Sequence, residues 1–354
     1  MYKKDNYHHR EIIDRLASGD TLTREEWMIL LVSLDDDERD YLHYKAAETA
    51  RLHYGNGVFV RALMEISSYC KNNCNYCGIR CGNKEAQRYR LSKEEILECC
   101  NDGAALGFNT FVMQGGEDPK QNDEWVADVV KTIRATYPDK AITLSVGERS
   151  AEAYKAFKDA GADRFLLRHE TRNDDHYAYL HPSNMSSENR RQCLFTLKRL
   201  GFQTGSGMMI GSPGQTVEHL YEDIRFLEEL EPQMIGVGPF LPATNTPFAS
   251  CAPGTVEQTA LVVSLLRLRF PKALLPATTA LATLCHNGME RAILAGANVV
   301  MPNVSPLEQR KKYSIYDNKK STGAESAQQM EQLEQRLNAI GYHINYGRGD
   351  YKNN

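Results

Sequence analysis

Hydrophobic and polar positions follow two different patterns along the chain. Residues 9–53 carry apolar positions at helical spacing, and Thr23 with Glu26 has the sequence of a capping box at a helix start. From residue 58 onward, short apolar runs rich in Val, Ile, Leu and Phe alternate with longer amphipathic stretches. The first pattern predicts a helical extension, and the second predicts strands that alternate with helices.

The alternating part predicts eight strands and eight helices. The strands are expected at 58–66, 110–116, 141–147, 164–170, 203–211, 234–240, 274–280 and 298–303. The helices are expected at 92–106, 121–136, 150–160, 187–200, 216–230, 255–270, 287–295 and 325–340. Further capping boxes are expected at Ser92/Glu95 and Thr255/Gln258, and helix-ending glycines at Gly107, Gly161, Gly201 and Gly296.

This alternation predicts an α/β fold of the (β/α)8 TIM-barrel type, with a doubly wound open sheet as the competing architecture. The 354 residues suit one barrel with extensions. We expect an N-terminal helical extension over 1–53, a barrel over 54–345 and a loose tail over 346–354.

Composition and charge indicate which classes of partner the protein binds. Hydrophobic residues make up 42% of the chain and charged residues 25%, which is typical of a globular protein with a sizeable core. The net charge of −4 is spread in mixed signs without a like-charged block, so we expect no nucleic-acid partner. Neither an apolar leader nor a long apolar run is found, so we expect a cytoplasmic protein that does not enter a membrane. Small-molecule chemistry is the favoured function class.

Three closely spaced cysteines stand after the first predicted strand. In EISSYCKNNCNYCGIR, residues 65–80, they are Cys70, Cys74 and Cys77. Thiolate sulfur suits zinc or an iron-sulfur cluster, and three thiolates on four irons would leave one iron open for a small ligand. The alternative is a zinc site with Cys81 as fourth ligand. We expect Cys81 to stay unligated, because a fourth thiolate would close the open iron.

Polar residues follow most of the other strands, at the end where parallel barrels bind their ligands. The residues in question are Gln114, Gly115, Gly116 and Glu117, then Ser145, Arg168 and Glu170, and further on Thr278 and Thr279. Arg164 and Arg168 have the same side-chain parity, so we expect both to face the barrel interior. The alternative is an ion pair at the bottom of the barrel or on its outside. One crowded polar face is what a catalytic mouth requires.

The cysteine motif, with Tyr76 immediately before its last cysteine, resembles that of the radical S-adenosylmethionine (SAM) superfamily. The resemblance implies a 4Fe-4S cluster on Cys70, Cys74 and Cys77, whose open iron chelates SAM and whose electron cleaves it to a 5′-deoxyadenosyl radical. It also implies contacts to SAM, and no catalytic residue is assigned beyond the cluster and SAM themselves. The implied SAM-binding residues are Gln114, Gly115, Gly116, Glu117, Ser145, Glu170, Arg190 and Met209. For Glu170, an ion pair with Arg164 or Arg168 is the alternative.

Within that superfamily the chain is similar to the HydE family of FeFe-hydrogenase maturases. The segments NKEAQRYRLSKEEI, MQGGEDP, ADRFLLRHET, GSGMMIGSPGQT, IGVGPFLPATNTP and GANVVMPN carry the similarity. Methylornithine synthase fits less well at RHET and SPGQT, and biotin synthase is more distant. The resemblance implies a small sulfur-containing substrate, an iron–cysteine complex, held by Arg164, Arg168, Thr278 and Thr279.

The same resemblance implies a reducing electron donor and companion hydrogenase maturases as partners. No cysteine follows Cys285, so we expect no second cluster. Two other hypotheses stay open at this point. One is a mutase like methylornithine synthase, and the other is a zinc-stabilised binding module without enzymatic activity.

Overall fold

The computed structural model describes residues 6–320 and 326–352. Three helices precede the barrel: α1 (Asn6–Ala17), α2 (Arg24–Val32) and α3 (Asp36–Tyr54). The capping box of Thr23 and Glu26 is formed, and Asp35 with Glu38 makes a second one that starts α3. These helices form most of the predicted N-terminal extension, whose residues 1–5 lie outside the described part of the chain.

The barrel is built from short parallel strands and the helices between them. The strands are β1 (Gly57–Val60), β2 (Ala62–Ser67), β3 (Thr110–Gly115), β4 (Ala141–Ser145), β5 (Arg164–Leu166), β6 (Gln203–Ile210), β7 (Met234–Pro239), β8 (Val299–Val300) and β9 (His343–Asn345). The further helices are α4 (Lys93–Ala105), α5 (Asp123–Thr136), α6 (Ala151–Asp159), α7 (Asp174–Leu180), α8 (Ser187–Arg199), α9 (Val217–Leu230), α10 (Val256–Arg269), α11 (Thr279–Leu284), α12 (Gly288–Leu294), α13 (Leu307–Arg310) and α14 (Met330–Ala339).

Hydrogen bonds close these strands into a ring. Strands β2 to β7 are paired in chain order, and parallel bridges join Met234 to Leu274, Pro276 to Val299 and Leu63 to Asn303. The last bridge returns to the first barrel strand and closes the ring, while β9 lies beside the ring and pairs with β1. The predicted (β/α)8 barrel is therefore confirmed, and the doubly wound alternative is wrong.

Two of the predicted strands are interrupted. The run 58–66 is divided at Arg61, where β1 pairs with β8 and β2 pairs with β3. The run 274–280 provides only single bridges, because Pro276 has no N–H to donate and α11 begins at Thr279. The predicted helix 325–340 appears as a short 3-10 turn followed by α14, and residue 325 lies outside the described residues.

Side chains alternate between the helices outside the barrel and its interior. On β2, Met64 faces outward, and its sulfur lies 3.7 Å from the thiol of Cys100 on α4. The neighbouring Glu65 therefore points inward, where the carboxylate is fully buried. The interior near the carboxyl ends of the strands is polar as a result.

The C-terminal residues 346–352 cross the amino ends of the barrel strands. The guanidinium of Arg164 donates to the carbonyl oxygen of Arg348 at 2.8 Å and to Asp350 at 2.6 Å, and Arg61 donates to the carbonyl of Gly349 at 3.3 Å. The expectation of a loose tail is wrong for these residues. They close the barrel floor because buried arginines on the strands need acceptors.

Within the described residues, no helix combines the length and apolar character that crossing a membrane requires.

Candidate functional site

The cysteine loop joins β2 to α4 at the carboxyl end of the barrel strands. Hydrogen bonds to two other loops, and one within the loop itself, fix its backbone. The N–H of Lys71 donates to the carbonyl of Glu117 at 2.9 Å, and the N–H of Gly78 donates to the carbonyl of Ile315 at 2.9 Å. The guanidinium of Arg88 also donates to the carbonyl of Ile79 at 2.7 Å. The loop is thus a fixed part of the barrel mouth.

The loop brings the three predicted metal ligands together. Cys70, Cys74 and Cys77 are free, half-buried thiols. Burial raises the pKa of Cys77 to about 12, and the nearby Cys70 thiol adds to this shift. Burial, then Cys77 and Cys70, raises the pKa of Cys74. Three soft donors that repel one another's negative charge are a set that a cationic metal centre stabilises.

The number and softness of the thiols bear on which metal centre they could hold. Three sulfur donors are one fewer than the four ligands of a structural zinc site. A zinc ion needs all its sulfurs at about 2.3 Å from one point, whereas a 4Fe-4S cluster takes each thiolate on a different iron. The donor set therefore fits the cluster, with the ligation itself still a prediction.

Cys81 differs from the other three cysteines in its exposure. Its thiol is exposed, and its backbone N–H donates to the carbonyl of Asn72 at 2.9 Å. That hydrogen bond closes the loop behind the three half-buried thiols. The prediction that Cys81 is unligated is compatible with this position.

The turn after β3 lies directly against the cysteine loop. A Cβ at Gly116 would come within 2.8 Å of the Cβ of Cys70 and closer still to the carbonyl oxygen of Tyr69. Only glycine fits there without moving the loop. At Gly115 the nearest atom would be a side-chain carbon of Ile66 at 3.1 Å, so that contact can adjust. Gly116 therefore cannot be replaced without moving the loop, whereas a substitution at Gly115 can be accommodated.

Glu117 ties this turn to its neighbours. Its carboxylate accepts the N–H of Glu148 at 3.0 Å and lies 3.3 Å from the ammonium of Lys71. Gly147 has φ 79° and leaves space for the Glu117 side chain. This carboxylate holds three loops together at one edge of an open cleft of about 700 Å³. The cleft is lined by Lys71, Asn72, Glu117, Asp123, Glu148, Arg149, Ser150, Asn184, Met185, Ser186 and Asn189.

Glu170 occupies a strained backbone conformation after β5. Its φ of 67° is left-handed, which costs a non-glycine residue about 1–3 kcal/mol and is found mostly where function requires it. Its Oε2 lies 2.9 Å from the Nη2 of Arg168, but the N–H is not aligned for a hydrogen bond. Both groups thus keep free hydrogen-bonding capacity in the barrel mouth.

Arg190 reaches the same region from α8. Its Nε donates to Glu148 at 2.5 Å, and its Nη1 donates to the carbonyl of Arg168 at 2.8 Å. Burial opposes the charge, but Tyr177 and Glu148 raise the pKa of Arg190 above its ordinary value. Arg190 is a permanent buried cation beside the cysteine loop.

Other predicted contacts line the interior. Ser145 lies beside Gln114 in the register of β3 and β4, and the amide of Gln114 donates to the hydroxyl of Tyr313 at 3.4 Å. Met209 is buried in an apolar cluster next to Tyr76. The hydroxyl of Thr278 is buried and finds no hydrogen-bond partner in the described part of the chain, and Thr279 follows it as the first residue of α11.

Arg164 does not belong to this group. It begins β5 at the amino end of the strand, and its fully buried guanidinium is bonded to Thr110, Arg348 and Asp350 at the barrel floor. Its side chain has the same strand parity as that of Arg168, but Arg164 lies at the amino end of the strand and Arg168 beyond its carboxyl end. Arg164 is therefore corrected from a substrate residue to a structural residue of the floor.

Several site residues were missed by sequence reasoning. The hydroxyl of Tyr76 lies 3.2 Å from Nε2 of His181, and burial, then the Arg190 charge, lowers the pKa of this imidazole to about 3. The sulfur of Met185 lies 3.8 Å from the thiol of Cys74. Neither His181 nor Met185 stands in a recognisable motif, so only the folded chain brings them to the loop.

Comparisons with known proteins agree with this geometry. The profile of the radical SAM superfamily matches residues 64–227, which include the cysteine loop. The chain is 42% identical over 310 residues to the "[FeFe] hydrogenase maturase subunit HydE" of Thermotoga maritima, covering 88% of both chains. The chain belongs to the radical SAM superfamily. It is accordingly a radical SAM enzyme, and membership implies a 4Fe-4S cluster and SAM as its cofactors.

Two other relatives fall within the same superfamily. The 3-methylornithine synthase of Methanosarcina acetivorans is 30% identical over 83% of this chain and 84% of its own length. The crystal structure of methylornithine synthase (PylB) superimposes with a TM-score of 0.85 and 26% identity, covering 96% of this chain and 98% of that one. The similarity to HydE and the relation to methylornithine synthase expected from the sequence are confirmed.

Proposed function

We propose that the protein is a HydE-type maturase of FeFe-hydrogenase that reductively cleaves SAM. The observation that carries the proposal is the 42% identity with HydE across the whole barrel, against 30% for the methylornithine synthase. The converging Cys70, Cys74 and Cys77 support the cluster on which this activity depends. One three-cysteine cluster and no second one is proposed.

The residues of the mouth have separate proposed roles. When bound, the cluster and SAM supply a 5′-deoxyadenosyl radical. The turn from Gln114 to Glu117 meets the amino group of SAM through its backbone, because the Glu117 carboxylate is already bound to the N–H of Glu148. The free oxygen of Glu170 accepts from the same amino group, and Arg190 pairs with the carboxylate of SAM. Ser145 and Met209 are proposed contacts to the ribose and the adenine.

The substrate is proposed to lie deeper in the barrel. Besides its ion pair with Glu170, Arg168 has a buried Nε–H that meets no acceptor among the described residues, and the hydroxyl of Thr278 is likewise without a partner there. Together with Thr279 they would bind the carboxylate of a small sulfur-containing iron complex of cysteine. A guanidinium fork and hydroxyls are the groups that recognise a carboxylate best.

The proposed partners follow from this role. They are a reducing electron donor, companion hydrogenase maturases and the small-molecule substrate, without nucleic acid or membrane. We place this activity in the cytoplasm.

The chemistry is tested by product analysis after anaerobic reconstitution with iron and sulfide. Reduced wild-type protein incubated with SAM should form 5′-deoxyadenosine, and Cys77→Ala should form none. A fully iron-loaded, reduced wild-type protein that leaves SAM intact would overturn the proposal.

A second candidate is a mutase resembling methylornithine synthase, which the TM-score of 0.85 favours. It keeps the cofactors and changes the substrate to an amino acid. Incubation with SAM and a mixture of the protein amino acids distinguishes the two, because only the mutase should yield methylornithine.

A further inference from the structure

Glu65 is a buried carboxylate that the proposed roles above leave unused. Its side chain is 0% exposed on the interior face of β2. Its backbone is fixed on both sides, because its N–H donates to the hydroxyl of Ser305 at 2.8 Å and its carbonyl accepts from the hydroxyl of Tyr89 at 2.7 Å. The carboxylate is therefore held inside the barrel.

Only half of this carboxylate is paired. The ammonium of Lys319, which is 8% exposed, lies 2.5 Å from Oε1 and 5.4 Å from the ring centre of Tyr313. The second oxygen, Oε2, is buried and has no hydrogen-bond donor among the described residues. Buried polar atoms in folded proteins nearly always have partners, so an unpaired carboxylate oxygen indicates a place for a donor from a ligand or water.

The other side of the barrel interior carries hydrogen-bond donors that lack acceptors. Strand β5 lies three steps around the ring from β2. Arg168 after it is ion-paired with Glu170, but among the described residues its buried Nε–H has no acceptor and the hydroxyl of Thr278 has no partner. A Cβ at Gly236 would lie in ordinary contact with the Arg168 side chain, at 3.9 Å, so the Arg168 stem passes close to the backbone of β7. The wall that carries Arg168 lacks an acceptor for its N–H, and the wall that carries Glu65 lacks a donor for its Oε2.

We infer that Glu65 is a second substrate subsite, which accepts the amino group of an amino-acid-like substrate whose carboxylate is held by Arg168 and Thr278. The ligand class is an α-amino acid or its amine-bearing metal complex. Lys319 is a positioning residue, because its ion pair orients the carboxylate and leaves Oε2 directed at the ligand. The inference rests on the proposed function in assuming a cysteine-derived substrate in the barrel.

A purely structural role for the ion pair makes a different prediction. Lys319 belongs to the segment 311–320, which is also held by the Ile315 carbonyl and by the bond from the Thr244 hydroxyl to Asp317 at 2.6 Å. If the ion pair only added to these anchors, its loss would lower stability and affect all ligands equally. A subsite instead affects only ligands that carry the amino group.

Calorimetric titration of the reconstituted, SAM-loaded protein with two probes separates these cases. The probes are L-cysteine and 3-mercaptopropionate, which differ only in the α-amino group. Wild-type protein should bind L-cysteine at least about tenfold more tightly, as expected for a hydrogen bond to a charged group. Glu65→Gln should reduce this preference to below about twofold and leave the affinity for 3-mercaptopropionate unchanged.

Three variants serve as controls. Glu38→Gln removes another buried glutamate, which is paired with His9 outside the barrel, and should keep the full preference. Lys319→Met should weaken the preference and Lys319→Arg should restore it. The double variant Glu65→Gln with Lys319→Met removes both charges together, so it should fold where a single change leaves a charge unpaired, and it should also lose the preference.

The inference is overturned if wild-type protein binds both probes equally or fails to bind L-cysteine. It is also overturned if Glu65→Gln weakens both probes to the same extent. Formation of 5′-deoxyadenosine from SAM without any substrate is measured on the same samples. If that activity is absent the proposed function fails, and if it is present with equal probe affinities only the inference fails.

Discussion

Replacing Gly116 by alanine should disturb the cysteine loop while the same change at Gly115 should not. At Gly116 the new methyl carbon would lie 2.8 Å from the Cβ of Cys70, about 1 Å inside an ordinary carbon–carbon contact of about 3.5–4.0 Å. It would also collide with the backbone carbonyl of Tyr69, which cannot rotate away. Overpacking of this kind costs about 1–3 kcal/mol.

The cost should appear as weaker cluster binding, because the strain is relieved by moving Cys70. A penalty of about 1–3 kcal/mol corresponds to roughly a 5- to 150-fold loss of affinity. Iron and acid-labile sulfide per chain, measured after reconstitution and challenge with a chelator, should fall in Gly116→Ala and stay at the wild-type level in Gly115→Ala. Equal retention of iron in the two variants would refute the packing argument.

Further predictions concern the ligands and the barrel floor. Cys77→Ala should abolish iron loading, whereas Cys81→Ala should leave it intact; iron loss in both would favour a four-cysteine site. Although burial opposes it, Arg348 and Arg164 hold the pKa of Asp350 well below its usual range. Its stabilising contribution is therefore complete above about pH 4 and is lost as the pH falls below that value. Asp350→Asn should make thermal stability less dependent on pH below 4, and an unchanged dependence would contradict this assignment.

The sequence predicts the parts of the fold that depend on local patterns. Strand β4 is a short, nearly continuous apolar run, and the buried face of α5 repeats with a period of nearly four, so both elements are predictable. The path of residues 346–352 is different, since its acceptors for Arg61 and Arg164 come from the far end of the chain. A tail rich in glycine and charge carries no periodic signal of such contacts.

In the site, too, local patterns predict some features, whereas contacts between distant parts of the chain are not predictable from them. Strand parity gives Arg164 and Arg168 the same direction, but they are four residues apart, which in extended chain corresponds to about 13 Å. One arginine therefore reaches the floor while the other reaches the mouth. The pairing of Glu65 with Lys319 spans 254 positions, so no local pattern indicates it.

Restoration of hydrogenase activity tests the central claim most directly. A cell-free maturation mixture that lacks only its HydE-type component would receive the reconstituted wild-type protein, SAM and apo FeFe-hydrogenase, with Cys77→Ala as the matched control. The account predicts that wild-type protein restores hydrogen production and that Cys77→Ala does not. Iron-loaded wild-type protein that cleaves SAM but leaves the hydrogenase inactive, while forming methylornithine from an amino-acid mixture, would contradict it.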